Sequence, residues 1–306
     1  MKRAAVILTL ASLLPQAQPQ PPGHLVGEER THVVAPGESW ASIGARAGVT
    51  PATLARRNER APGSRLQPGM EILVDNRHIV PEVEGASIVI NLPQRLLFHR
   101  ADGVLRAHYP LAVGLFDWPT PLGPFTIIEK EEDPTWDVPE SIQEEMRREG
   151  RKVLTKVPPG PDNPLGRHWL RLSFGAVGLH GTNAPLTIFR VTTHGCIRMH
   201  PDDIADLFGH TAVGDTGRII YEPVLASVEP DGRVFLEVHP DAYHRVPHML
   251  DLAADVLLRA GANGFVDPRR VQAAVAAREG IAVDVSVKSP GAAGNTSCPP
   301  AVPYAR

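Results

Sequence analysis

Hydrophobic and polar positions alternate in short runs over residues 87–240: "SIVINL", "RLLFHR", "VLRAHYPLAV", "PFTIIEK", "HWLRLSF", "AVGLHG", "GRIIYEPV" and "VFLEVH". Period-two runs of this length, separated by Pro, Gly and Asp turns, predict a mostly antiparallel β domain. One charged segment, "PESIQEEMRREGRKV", breaks the pattern. Its Ser141 and Glu144 have the spacing of a capping box, which predicts a short helix inserted between strands as a lid or surface excursion. "PPGPDNPLG" after it is a turn-dense loop. Past residue 241 the period changes to that of helices, in "PHMLDLAADVLLRAG" and "DPRRVQAAVAAREG". In the second, Asp267 is placed to cap, Pro268 to start and Gly280 to end the helix. "IAVDVSV" then alternates as one more strand.

Residues 31–75 follow a separate β-α-α-β pattern. A strand over Thr31–Val34 leads into an "APG" turn, and Ser39 is placed to cap a helix with Trp40, Ile43 and Ala47 on one face. Pro51 opens a second helix, and "LQPGMEILV" closes as a strand. The "PGES" turn, the Asn of "RRNE" and the L-x-P-G-x-x-I-x-V strand resemble a LysM domain. The resemblance implies binding to N-acetylglucosamine-containing glycan such as peptidoglycan.

Composition narrows the classes. The chain has 306 residues and a formal net charge of −3 with no basic block, which argues against nucleic acid and anionic membrane surfaces as partners. At the N-terminus, Lys2 and Arg3 precede an apolar run over 4–14 and small residues near Ala17, the form of a secretory signal. That run is short of the ~20 residues a membrane span needs. The remaining chain is therefore expected in an exported, oxidising compartment. There are only 2 cysteines. Cys298 lies in a Pro/Gly/Ser/Ala-rich tail expected to be disordered, so a bridge from it to Cys196 would be a redox latch rather than a structural staple.

Cys196 sits in "RVTTHGCIRMHPDD", sixteen residues after His180 of "GLHGTN". A free thiol is mostly protonated at neutral pH, so a nucleophilic cysteine needs a basic or positive neighbour. His180 and His194 are the nearby imidazoles. His194 faces Cys196 only if the loop bends, which leaves His180, at a neighbouring strand end, as the better general base. Gly195 clears space for a substrate carbonyl and lets backbone N–H groups turn inward as an oxyanion hole. A helix predicted from Pro201, with Asp202 and Asp203 in its first turn and Ile204, Leu207 and Phe208 on its apolar face, would modestly favour the thiolate of Cys196 just ahead of it. The residues taken alone also allow an inert buried thiol. His180, His194, Cys196 and His200 are metal-ligating types, but their spacing fits no common zinc pattern, so no metal or other cofactor is expected.

"HGTNAPLTIFRVTTHGCIRM" resembles the active-site signature of L,D-transpeptidases with a YkuD-type catalytic domain. The ErfK/YbiS group among them is similar also in its N-terminal LysM segment and in "TPLGPFTI", "EDPTW" and "GPDNPLG". The resemblance implies a mainly β fold: a β-rich YkuD-like catalytic domain with a small βααβ LysM domain and a C-terminal helical extension. The expected divisions are a signal peptide over 1–20, the LysM-like domain over 30–76, the catalytic domain over 85–224, the extension over 225–288 and the tail over 289–306. It implies Cys196 as nucleophile and His180 as base. His194 with the backbone of Gly195 and Cys196 would frame the oxyanion, Gly181, Thr182 and Thr193 would support the site, and Arg198 would hold the loop or a substrate carboxylate. The family has Gly and Pro where this chain has Phe189 and Val191, which bears on the shape of the acceptor side. The implied activity is periplasmic acyl transfer on peptidoglycan stem peptides to diaminopimelate or to the lysine of an outer-membrane lipoprotein. Water as acceptor would make the protein an L,D-carboxypeptidase, and an inactive domain would leave a wall-binding scaffold.

Overall fold

The computed structural model describes residues 23–287. The expected leader, the tail and Cys298 lie outside the described residues. The N-terminal part runs β1 (Leu25–Val26), β2 (Glu29–Val33), α1 (Trp40–Ala47), α2 (Pro51–Arg57), β3 (Glu71–Asp75) and β4 (His78–Ile79). Ser39 caps α1, with Ser42 completing a reciprocal pair of bonds, and Thr50 caps α2 ahead of Pro51. Asn58 then ties the end of α2 to β3: its amide donates to the carbonyls of Leu54 and Leu73 at 2.8 Å, and its oxygen accepts from Leu73 N–H at 2.7 Å. Trp40, Ile43, Leu54, Ile72 and Val74 form the small core between the helices and the β2–β3 pair.

The central part contains β5 (Ile88–Asn91), β6 (Leu96–Ala101), β7 (Val104–Gly114) and β8 (Gly123–Glu132). An excursion of β9 (Trp136–Asp137), α3 (Glu140–Arg148) and β10 (Lys156–Val157) follows, then β11 (His168–Leu172) and β12 (Gly178–His180). A single 3-10 turn (Pro185–Thr187) leads to β13 (Val191–Thr193), β14 (Ile197–Met199), α4 (Pro201–Gly209) and β15 (Thr216–Ile220). The strands close in the order β7, β14, β12, β11, β8, β15, β5, β6 and back to β7, with β13 added beside the end of β7. β12–β14 and β15–β5 are parallel, as is the added β13 beside β7, and the other pairings of this sheet are antiparallel. The expected mostly antiparallel, mainly β architecture is what the chain adopts. Alternation turns Leu170, Leu172, Leu179, Ile197 and Met199 into the core with Ile88, Ile90, Leu111 and Ile127.

The C-terminal part contributes β16 (Val224–Val228), β17 (Val234–Val238), α5 (Met249–Arg259), α6 (Pro268–Ala277) and β18 (Ala282–Asp284). The two helices cover a three-stranded antiparallel sheet. Asp267 and Pro268 start α6 as the sequence predicts. The left-handed cap of α6 is Arg278 (φ 45°), two residues before Gly280, which is itself left-handed (φ 71°) and whose missing side chain makes room for the His239 ring.

α3 departs from expectation at its start. Ser141 does not cap it: the helix begins at Glu140 behind Pro139, with no side-chain cap. Pro139 already fixes the entry dihedral, and Gln143 reaches back to the Val138 carbonyl at 2.9 Å, which leaves Ser141 and Glu144 within the helix.

The N-terminal part is fastened to the rest by charge as well as by apolar contact. Arg46 of α1 meets Asp203 of α4 at 3.0 Å. Thr53 of α2 donates to the Glu279 carbonyl, and Arg56 and Arg57 pair with the Glu279 carboxylate at 3.4 Å.

Candidate active site

Two parallel strands carry the signature residues to one place. In β12 and β14, Leu179 pairs with Ile197 and His180 with Arg198. Leu179 and Ile197 point into the core, so His180 and Arg198 share the outer face. That face is the floor of a cleft of about 720 Å³, whose lining includes Trp118, Trp169, His180, His194, Cys196 and Arg198. The wall above is α3 and its flanking loops.

Cys196 lies where the chain turns from β13 into β14. Gly195 takes φ 102°, a value that side-chain-bearing residues rarely adopt, and this provides the bend that the sequence requires for His194. A side chain at Gly114 of the adjoining β7 would collide with the Trp118 carbonyl and press on Gly195, so two glycines allow the backbones to meet here. The Thr193 hydroxyl donates to the Cys196 carbonyl and closes the turn.

His180 is buried, and its Nδ1–H donates to the Gly181 carbonyl at 2.7 Å. This fixes the tautomer with Nε2 as the basic nitrogen. Burial first, and then the Arg198 charge, push its pKa down to about 3. Gly181 packs closely against the Leu165 carbonyl and Ile204, and the Thr182 hydroxyl accepts from Ala184 N–H at 2.9 Å, so both shape the turn that holds the imidazole. The Trp169 ring lies 6.1 Å from that of His180.

The thiol is not tuned as the sequence suggests. β14 separates Cys196 from α4, whose Asp202 N–H donates to His200, so the helix dipole, which fades beyond the first turn, is not aimed at the sulfur from close range. Burial raises the Cys196 pKa despite the residue's partial exposure, opposed by the Gly178 N–H and Arg198. In the resting site both Cys196 and His180 are therefore neutral at pH 7.

Arg198 donates from Nη1 to the Thr187 hydroxyl at 2.8 Å, which ties the 3-10 turn to β14 while the side chain still lines the cleft. His194 does not touch this pair. Its Nε2–H donates to Glu145 of α3 at 2.7 Å, and its ring stands edge-on to Trp118 at 5.1 Å.

Phe189 takes φ 63°, and its ring is buried under Arg95, whose guanidinium sits 4.2 Å from the ring centre. It packs with Ala45 and Ile188 and is not among the residues that line the cleft. Among the described residues no group of three or more His, Cys, Asp or Glu side chains is placed to hold a metal ion. Trp118, Glu145, Trp169, Glu129 and Arg171 also line the cleft and were not evident in the signature. Only the period-two pattern of β8 and β11 hinted that Glu129 and Arg171 share a face.

Comparison with known proteins follows the same division. Residues 85–224 match the model of the L,D-transpeptidase catalytic domain (YkuD), and residues 32–75 match that of the LysM domain. The probable L,D-transpeptidase ErfK/SrfK of Salmonella typhimurium is 32% identical over 298 residues, covering 94% of this chain and 96% of that protein. The chain belongs to the L,D-transpeptidase family. Probable L,D-transpeptidase YcfS of Escherichia coli is 31% identical, with 92% of each chain covered. YbiS of the same organism is 34% identical over 56% of each. This L,D-transpeptidase thus pairs its catalytic domain with a LysM domain, and among its described residues no helix is long and apolar enough to cross a membrane.

Proposed function

We propose that the protein is a peptidoglycan L,D-transpeptidase of the cell envelope, working through a Cys196 thioester. The supporting observation is the pairing of β12 with β14, which brings His180, with Nε2 left basic, and Cys196 onto one cleft floor. A neutral imidazole and a neutral thiol lining one cleft suit proton transfer during attack rather than a standing ion pair. Cys196 Sγ bonds to the carbonyl carbon at the L-centre of diaminopimelate in a tetrapeptide stem, and its proton passes to His180. Collapse of the adduct breaks the bond to the terminal D-alanine, whose amine takes that proton and leaves. The oxyanion is met by the backbone of the bent His194–Gly195–Cys196 turn. An acceptor amine then repeats the sequence on the thioester. It comes from a second diaminopimelate, giving a crosslink, or from a lipoprotein lysine, giving an anchor.

The LysM domain would hold glycan and raise the local concentration of stems. Intact-protein mass spectrometry of the reduced, leader-free protein with disaccharide tetrapeptide is the test. A covalent adduct with D-alanine release, absent in Cys196→Ala, is expected. No adduct from a folded protein with a free thiol would overturn the mechanism.

A further inference from the structure

The wall formed by β8 and β11 carries a charge pair that acyl transfer itself does not use. Arg171 and Glu129 are cross-strand partners, with Nη1 3.3 Å from the carboxylate, and both line the cleft while remaining half exposed. An exposed pair of this kind contributes little to stability. Its position relative to the sulfur is more informative. Arg171 stands opposite Gly178 on β12, and Gly178 directly precedes the Leu179–Ile197 pairing, which makes Cys196 its neighbour on the following strand. A single turn bounds the separation. Arg171 Nε donates to the Gly175 carbonyl at 3.1 Å, and Cys196 Sγ lies 3.6 Å from the next carbonyl, that of Ala176. Consecutive carbonyl oxygens are within about 5 Å, so the guanidinium stands no more than about 12 Å from the sulfur. Gly178 leaves the row between them without a side chain, and the Trp169 ring occupies the space where a Cβ would sit, 2.5 Å from its nearest atom.

We infer that Arg171 and Glu129 are specificity-determining residues that read the zwitterionic far end of the donor's third residue, Arg171 its carboxylate and Glu129 its ammonium. The inference rests on the cysteine reading above. With the L-centre carbonyl on Cys196, five extended C–C bonds carry the chain about 6 Å to the D-centre, and the sulfur bond and the carboxylate add about 4 Å. That reach falls within the bound on the guanidinium. The planar fork of Arg171 fits a carboxylate through two parallel bonds. Because Glu129 already balances its charge, a lone anion gains little, whereas an ammonium and carboxylate on one carbon complement both partners. A lysine at the third position offers the ammonium without the carboxylate.

The test uses the full chain carrying Cys196→Ala, titrated calorimetrically with three tetrapeptides: diaminopimelate at position three, the same residue amidated at its D-centre carboxyl, and lysine. The expected preference for the free carboxylate is about tenfold or more, the order of one charge-assisted hydrogen bond. Adding Arg171→Gln should reduce the preference to within about twofold, and Glu129→Gln should weaken all three peptides. Equal binding of the three, or an equal loss on all of them in Arg171→Gln, would overturn the inference, as would absence of binding. Acylation and thioester resolution are timed in parallel in the protein with Cys196 intact. An Arg171→Gln effect confined to resolution by a diaminopimelate amine would move the pair to the acceptor and overturn the donor assignment. Selective binding without any acyl-enzyme would refute the cysteine reading alone.

Discussion

Single residues decide the protonation state of the site. His180 is pushed down to about 3 by burial, so it stays neutral and able to accept a proton at any pH above about 4. The acylation rate, followed by mass spectrometry, should therefore show no acid limb between pH 5 and 7 from this group. An inflection near the usual histidine value of about 6.5 would show that His180 opens to water in the working enzyme. Burial also holds Cys196 as the thiol, so its alkylation by iodoacetamide should be slow at pH 7 and rise only above the ordinary thiol range, at about 8.5. The roles proposed for Cys196 and His180 were legible in the sequence because the signature keeps them at fixed spacing on two short strands. The direction of the Cys196 shift was not, since sequence adjacency to Pro201 suggested a helix end that three residues of β14 in fact hold away. Phe189 misled for a related reason: its position says nothing of the αL backbone that turns its ring under Arg95.

At the scale of elements, local signals were the readable ones. Ser39, Thr50, Pro51, Asp267 and Pro268 act within a few residues of themselves and mark the helix starts that they predict. The contact from Glu145 to His194 spans 49 positions and could not be seen in either segment. That contact holds α3 over the cleft with help from the buried Met146. Glu145→Gln should loosen α3 alone, with amide exchange over 140–150 about tenfold faster and the barrel strands unchanged, given the strength of a charge-assisted bond. Asn58 joins α2 to β3 by three hydrogen bonds. Asn58→Ala should destabilise the N-terminal part by on the order of 2 kcal/mol, read as a lowered first transition in urea.

For the whole molecule, buried histidines set the response to acid. His108 and His180 are both depressed to about 3, chiefly by burial, whereas the unfolded chain titrates them near 6.5. The unfolded state thus binds more protons between these values. Stability is full above pH 6.5 and is lost as pH falls toward 3, by an amount on the order of 4 kcal/mol for each group. Urea midpoints measured from pH 7.5 to 4 should fall steadily, and replacing His108 with an apolar residue should flatten the curve. Glu237 adds to this at lower pH. It is buried with His78 and His239, whose ring N–H groups donate to it at 2.8 and 2.7 Å, and its carboxyl is held down to about 2, so its contribution goes as pH falls from 4.5 through that value.

Closure of the barrel also sets the order in which the chain can fold. β5 borders β6 across a four-residue turn, but its other neighbour, β15, pairs Ile88 with Gly217. The intervening loop must lose its freedom before that pairing returns any contact, and parallel pairing between distant strands is intrinsically slow. The β2–α1–α2–β3 unit needs nothing beyond Asp75 to complete its own strand pair. A chain emerging N-terminus first can thus pair the strands of its LysM module while the barrel is still open. His180 and Arg198 come into register only once β12 and β14 have both arrived, so the cleft floor that carries them and Cys196 is assembled late.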